Sequence, residues 1–317
     1  MAATQVGWIG LGSMGIGMSK NLQKHLSKAG SPSLIYTNRT LSRGELLQEL
    51  GAIPVETVKG VASKCDIIFS CVSNDAVLQG ITDEIIASGD IQGKVYVDCS
   101  TVHPDTSKTV SNKISAAGAE FVAAPVFGAA PMAEAGKLIF VTAGPPTAIT
   151  RITPYLSGVM GKSIIEMGPD VAKSSLTKIA GNICVVSFME VISEAHVFAE
   201  KTGLGSPTLE KLLSDMFGPV IESYSKRIST GIYAPAPDGK AGFDVSLAIK
   251  DARHALNCAS GVGVKLDVSG IALDHMVKAQ QLQPGRPLDS SSMYGAIRYE
   301  SALDFFTDLC KKRDGSI

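Results

Sequence analysis

Three glycines, one strand-end arginine and one lysine on an apolar helix are the features of this sequence best suited to chemistry. Residues 6–15 read Val-Gly-Trp-Ile-Gly-Leu-Gly-Ser-Met-Gly, an apolar run entering G-x-G-x-x-G at Gly10, Gly12 and Gly15. Met18, Leu22 and Leu26 follow at helical spacing. Such glycines permit a tight turn and a close backbone approach to a pyrophosphate, whose charge the helix N-terminus then faces. A strand before and a helix after distinguish a dinucleotide site from an ordinary glycine turn. Gly10, Leu11, Gly12, Ser13, Met14 and Gly15 are therefore expected to hold a dinucleotide.

Which dinucleotide is decided at the end of the next strand, about twenty residues past the last glycine. NAD sites usually carry an acid there, which bonds the ribose hydroxyls and repels an added phosphate. This chain has Asn38, Arg39 and Thr40 instead. Asn38 does not repel, Arg39 offers a planar fork to a phosphate, and Thr40 adds a hydroxyl. The three point to NADP (NADPH), although a solvated arginine beside a helix cap would look the same.

In an open parallel sheet the ligand lies beyond the carboxyl ends of the strands. Three segments should meet there: Cys71 to Asn74, Asp98 to Thr101 and Ala124 to Pro131. They bring Val72, Ser73, Ser100, Thr101, Phe127 and Gly128 to that edge as candidate cofactor and substrate contacts. Turn and cap chemistry explains Ser73 and Asn74 equally well. A redox step at a carbonyl also needs a proton donor. Lys178 sits between Leu176 and Ile179, with Asn182 one turn on and on the same helical face. Desolvation on such a helix would bring a lysine towards neutrality. Lys250 is a second candidate, and any single lysine may equally snorkel to water. Glu190 and Glu194 also share a face and read as structural.

The elements that must position these residues follow from the apolar periodicity. Strands are expected at Val6–Ile9, Leu34–Tyr36, Ile67–Val72, Val95–Asp98, Glu120–Ala124, Leu138–Ala143 and Ser163–Glu166, alternating with helices. That alternation predicts an α/β, Rossmann-type doubly wound parallel sheet, here extended past six strands. After Gly168-Pro169-Asp170 only helices are expected: Val171–Thr202, Ser206–Phe217, Val220–Ser229, Val245–Gly261, Leu266–Gln281 and Gly295–Asp308. The predicted division is a cofactor domain over 1–168 and an all-helical domain over 169–317, with the long helix between them.

Bulk properties narrow the class. The 317 residues carry a net charge of −1 with no basic stripe, which argues against nucleic acid or an anionic membrane as partner. Six cysteines lack C-x-x-C spacing and five histidines are scattered, so neither disulfides nor a metal site is expected. The apolar stretch 179–198 is interrupted by Asn182, Glu190, Glu194 and His196, which suits a buried helix better than a bilayer span. Its length exceeds what one small helical domain needs to bury and suggests a homodimer. With little chain ahead of the first strand to serve as a leader, the cytoplasm is the expected location.

Together, Gly10 to Gly15, Asn38-Arg39-Thr40, Asp98-Cys99-Ser100-Thr101-Val102, Ala124-Pro125-Val126, Gly168 through Lys178 to Asn182, and Phe243 through Lys250-Asp251 resemble the β-hydroxyacid dehydrogenase family. That family includes 3-hydroxyisobutyrate dehydrogenase, the glyoxylate and succinic semialdehyde reductases and, more distantly, 6-phosphogluconate dehydrogenase and the imine reductases. The resemblance implies an NADPH-dependent oxidoreductase acting on a small semialdehyde, keto acid or hydroxyacid. Lys178 would be the acid/base, Asn182 would hold the substrate oxygen, and Ser100 and Thr101 would lie at the nicotinamide end. Lys250 would contact cofactor with Asp251 in support. One departure stands out: the family usually shows Pro-Val-Ser-Gly where this chain has Pro125-Val126-Phe127-Gly128. An imine reductase is the nearest alternative, favoured by Phe127 and disfavoured by Lys178. A non-catalytic NADP-binding sensor or scaffold is the alternative from another class.

Overall fold

The computed structural model describes residues 3–316. The chain divides into two compact units, Met1–Lys178 and Ile179–Ile317.

In the first unit nine strands alternate with helices: β1 (Val6–Ile9), α1 (Ser13–Lys28), β2 (Ile35–Thr37), α2 (Glu45–Glu49), β3 (Ile53–Pro54), α3 (Val58–Lys64), β4 (Ile67–Ser70), α4 (Asp75–Ile86), β5 (Val95–Asp98), α5 (Pro104–Ala116), β6 (Glu120–Ala123), β7 (Val126–Phe127), α6 (Ala130–Glu134), β8 (Leu138–Thr142), α7 (Pro146–Leu156) and β9 (Gly161–Glu166). Six form a sheet in the order β3-β2-β1-β4-β5-β6, all parallel. This is the doubly wound order, with its switch point between β1 and β4. Strands β1, β4 and β5 are buried along their whole length, as strands covered on both faces must be. Apolar packing fills the space on either side of the sheet, with Trp8 stacked on Phe69 (centroids 5.8 Å apart).

The expected extension of this sheet does not occur. β7, β8 and β9 form a separate three-stranded sheet in which β7 runs antiparallel to β8. Only a single bridge, Ala123 to Ala143, links the end of β6 to the end of β8. An apolar run identifies a strand, but its partner is chosen by non-local pairing, and Pro125 offers no N–H with which to continue the β6 ladder. β3 and β7, two residues each, gave no periodic signal at all.

The 31-residue helix α8 (Val171–Lys201) contains the division between the units. That division falls ten residues beyond the expected 168/169, because the first turns of α8 pack on the sheet unit. Ser174 Oγ donates to Val141 O at 2.6 Å, Ser175 and Ser107 hydroxyls lie 2.8 Å apart, and Val171 joins the apolar layer.

The second unit contains α9 (Ser206–Ser229), α10 (Val245–Gly261), α11 (Asp267–Leu282), α12 (Met293–Glu300) and α13 (Asp308–Arg313). Among its described residues helices are the only extended regular elements. A non-helical Gly218 (φ 75°), followed by Pro219, breaks α9 where the sequence implied two helices. The helix expected over Gly295–Asp308 instead stops after Glu300. Ala302 takes a left-handed conformation (φ 57°), and Leu303 N donates back to Arg298 O at 2.9 Å. Such a stop is normally marked by glycine, so an alanine there concealed it. By length and composition α8 could cross a membrane. Its Asn182, Glu190, Ser193 and His196, however, are buried within the protein.

Candidate functional site

The glycine turn is built at the switch point. Gly10 closes β1 with its N–H on Thr37 O (3.1 Å), and the Trp8 indole N–H holds Gly10 O at 2.8 Å. Its φ of +97° and a backbone carbonyl 2.4 Å from where a Cβ would stand make glycine obligatory. A Cβ on Gly15 would lie 2.2 Å from Gly10 O, so the third glycine lets the helix start against the turn. Gly12 differs: a Cβ there would meet nothing within 4 Å. As N-cap of α1 it has no side-chain cap, and the first turn holds no acid. An open, uncapped and acid-free helix start is what a pyrophosphate requires, so these residues fit a dinucleotide.

Asn38 has a more local task than its position in the sequence suggested. Its Oδ1 accepts from Leu11 N at 2.8 Å while its Nδ2 donates to Thr40 O at 2.7 Å, tying the glycine turn to the end of β2. Arg39 and Thr40 are exposed beside it.

Beyond β4 and β5, a buried carboxylate organises the loops. Asp98 Oδ1 accepts from Ser70 Oγ and from Ser100 Oγ, each at 2.7 Å, and Ser100 Oγ in turn accepts from Val72 N at 2.8 Å. Ser100 is therefore buried and committed to joining the two loops, with Thr101 half-buried after it. Ser73 is exposed, and Asn74 caps α4 by accepting from Val77 N at 3.0 Å. Asp98 was missed as a site residue. A lone acid closing an apolar strand, two residues before a serine, was the available signal.

Lys178 is half-buried, its ammonium 4.4 Å from the centroid of the Phe127 ring. Burial pushes the Cys71 thiol, just past β4, up to about 12; Asp98 adds to that rise and Lys178 opposes it. The Lys178 charge is thus within electrostatic reach of the strand ends that carry Asp98. Phe127 sits on β7 opposite Ile139, and Gly128 follows at φ +128°.

In the second unit Asp251 is the hub. Its buried carboxylate accepts from Asn182 Nδ2 at 2.7 Å and pairs with Lys250 Nζ at 2.8 Å. The sequence suggested the Lys250–Asp251 pairing but not its link to Asn182. Glu190 is buried against His275 (2.6 Å), which accords with a structural role, while Glu194 is exposed. All six cysteines are free; Cys65, Cys99 and Cys310 are buried, Cys71 and Cys258 half-buried, and Cys184 exposed. Among the described residues no cluster of three or more His, Cys, Asp or Glu side chains is arranged to hold a metal.

A doubly wound sheet with an open glycine cradle at its switch point, followed by an all-helical unit, defines a class: the two-domain nicotinamide dinucleotide oxidoreductases. Residues 5–168 match the NAD-binding domain of 6-phosphogluconate dehydrogenase, and residues 172–297 match the NAD-binding region of NADP-dependent 3-hydroxyisobutyrate dehydrogenase. The chain belongs to the β-hydroxyacid dehydrogenase family. It is 32% identical over 297 residues to the NADH-dependent oxidoreductase ucdB of Aspergillus ustus, covering 93% of this chain and 99% of that one. It is also 32% identical over 299 residues to glyoxylate/succinic semialdehyde reductase 1 of Arabidopsis thaliana, with the same coverage of 93% and 99%. Mycobacterium tuberculosis 3-hydroxyisobutyrate dehydrogenase, solved with L-serine, shares the fold (TM-score 0.76, 23% identity, 94% and 100% covered). The chain is an NAD(P)-dependent oxidoreductase.

Proposed function

We propose that this enzyme is an NADPH-dependent reductase of small aldehydes and ketones, including semialdehydes and keto acids, with Lys178 as its acid/base. When bound, the reduced nicotinamide supplies the hydrogen and electron pair that the carbonyl carbon takes up. Lys178 handles the proton: its ammonium donates to the carbonyl oxygen in reduction, and the neutral amine accepts the hydroxyl proton in oxidation. The observation that carries this reading is the half-buried Lys178 ammonium, held 4.4 Å from the ring of Phe127 on β7.

Gly10 through Gly15 hold the pyrophosphate, while Val72, Ser73 and Thr101 line the nicotinamide end in this reading. Ser100, through Asp98, keeps the Val72 loop in register. Asn182, oriented by Asp251, holds the substrate oxygen, and Lys250 contacts the cofactor. Residues 1–168 serve the cofactor, and 169–317 serve substrate and dimerisation. NADPH is preferred over NADH because positions 38–40 offer an exposed cation and hydroxyl and no carboxylate. The Aspergillus relative is named for NADH, so this preference rests on the chain's own residues.

A homodimer is part of the proposal. Phe188, Val191 and Phe198 on α8 and Leu212, Met216, Phe217 and Val220 on α9 are large apolar side chains left exposed. Light scattering should give twice the chain mass. Six free thiols suit a reducing compartment, and we place the enzyme in the cytoplasm.

Replacing Lys178 by Met tests the mechanism. Turnover should fall by about 10²–10⁴-fold, the usual contribution of a positioned acid, while NADPH affinity by fluorescence titration stays within about twofold. Unchanged turnover removes Lys178 from the mechanism.

A further inference from the structure

Phe127 lies 51 positions from Lys178 in sequence, yet its ring is 4.4 Å from that ammonium. The ring is firmly placed. β7 pairs antiparallel with β8, setting Phe127 opposite Ile139. The next residue, Gly128, is left-handed, with Leu138 Cδ2 and Met132 Cβ at 2.7 and 3.1 Å from where a Cβ would stand. Apolar side chains therefore line the turn that follows the ring. Phe127 remains half-buried, so part of it is still accessible.

An aromatic face carries negative potential, so it attracts an ammonium and repels a carboxylate. A substrate presenting its carboxylate beside Lys178 would meet that face, and the ring itself carries no hydroxyl to bond it. Losing a hydrogen bond to a charged group disfavours that ligand by an order of magnitude or more. Alkyl carbon, by contrast, packs well against the ring.

We propose that Phe127 is the specificity-determining residue of this reductase: its ring, seated on the Lys178 ammonium, selects carbonyl compounds whose substituent beside the reacting carbon is uncharged and apolar. This narrows the reductase reading above, on which it rests: keto acids and carboxylate-bearing semialdehydes become its poorer substrates.

Size-matched pairs of probes test the assignment: glyoxylate against propanal, and succinic semialdehyde against pentanal. In the wild-type enzyme with NADPH, kcat/KM should favour the uncharged member of each pair by roughly tenfold or more. Phe127→Ser should move the glyoxylate-to-propanal ratio by roughly 10–100-fold towards the acid. Phe127→Leu, which keeps an apolar surface and brings no hydroxyl, should keep the apolar preference, a substrate ratio that a purely structural role would not set. Calorimetry of glycolate against 1-propanol on the NADPH-loaded protein, where ligand and cofactor are both reduced, reads the same preference without turnover. A carboxylate preference in the wild type overturns the proposal. So does an unchanged ratio in Phe127→Ser that still melts and binds NADPH like the wild type. Should Phe127→Ser fail to fold, a calorimetric preference of the wild type for glycolate overturns it. If Lys178→Met retains turnover while calorimetry still favours the alcohol, the acid/base reading fails and the Phe127 assignment stands.

Discussion

Two strand-end turns of the sheet unit use the same backbone device and reach opposite surfaces. Gly10 follows β1 at φ +97° and leads into the 16-residue α1; Gly128 follows β7 at φ +128° and leads into the five-residue α6. Around Gly10 the neighbours are backbone: the Cys71 carbonyl, Thr37 O and, through Asn38, the Leu11 amide. Around Gly128 they are the side chains of Leu138 and Met132, with the Phe127 ring turned to Lys178. The first turn leaves polar groups facing open space at Gly12; the second is walled with hydrocarbon. A left-handed glycine allows a sharp turn without determining what the turn binds. The neighbours settle that.

Gly10→Ala should break the comparison most severely. The new methyl would meet a backbone carbonyl at 2.4 Å in a conformation that L residues avoid. Neither β1 nor the Cys71 segment can yield without disturbing the sheet. A cost of roughly 3 kcal/mol or more is expected, about a 6–12 °C fall in Tm, together with loss of cofactor binding. A variant that melts and binds NADPH normally would refute the view of this turn as rigid.

Gly12→Ala separates stability from binding at the same turn. A Cβ there meets nothing within 4 Å, so Tm should stay within about 2 °C. The methyl would instead occupy the space left for pyrophosphate, raising the NADPH Kd by roughly 10–100-fold. Unaltered affinity would mean that the cofactor does not approach the turn from this side.

The two turns were also unequally legible in the sequence. The first is local: its glycines, strand and helix are contiguous, so their spacing alone defined it. The partners of Asn38 were hidden, since its amide bonds Leu11, 27 residues earlier. The second turn depends on a two-residue antiparallel strand and a ring–ammonium contact across 51 residues, for which no periodicity exists. Sequence could note that Phe127 was unusual but not that it covers Lys178. Asp98 and Asp251 were obscured for the same reason. Each is a buried carboxylate whose partners are set by neighbouring strands or helices, whereas Lys178 and Asn182 were visible through their spacing on one helix.

Arg39→Ala acts at the rim of the first turn. The side chain is exposed and its charge is screened by solvent, so the effect belongs at the lower end for bonds to charged groups. NADPH affinity should fall roughly tenfold while NADH affinity holds. An equal loss for both cofactors would assign Arg39 to the adenosine rather than to the 2′-phosphate.

Gly128→Ala should have the smallest effect, because φ is as unfavourable as at Gly10 but the obstruction is of another kind. Its nearest neighbour, Leu138 Cδ2 at 2.7 Å, is the end of a flexible side chain. Met132, next at 3.1 Å through its Cβ, is only half-buried on the short helix α6. Leu138 is buried in the core and must repack, but no backbone carbonyl is displaced, so the cost stays below that at Gly10. About 1 kcal/mol follows, a fall in Tm of about 2–4 °C, with NADPH affinity unchanged. If Gly128→Ala instead proves as damaging as Gly10→Ala, the second turn is as rigid as the first, and the contrast between a backbone-lined and a side-chain-lined glycine is lost.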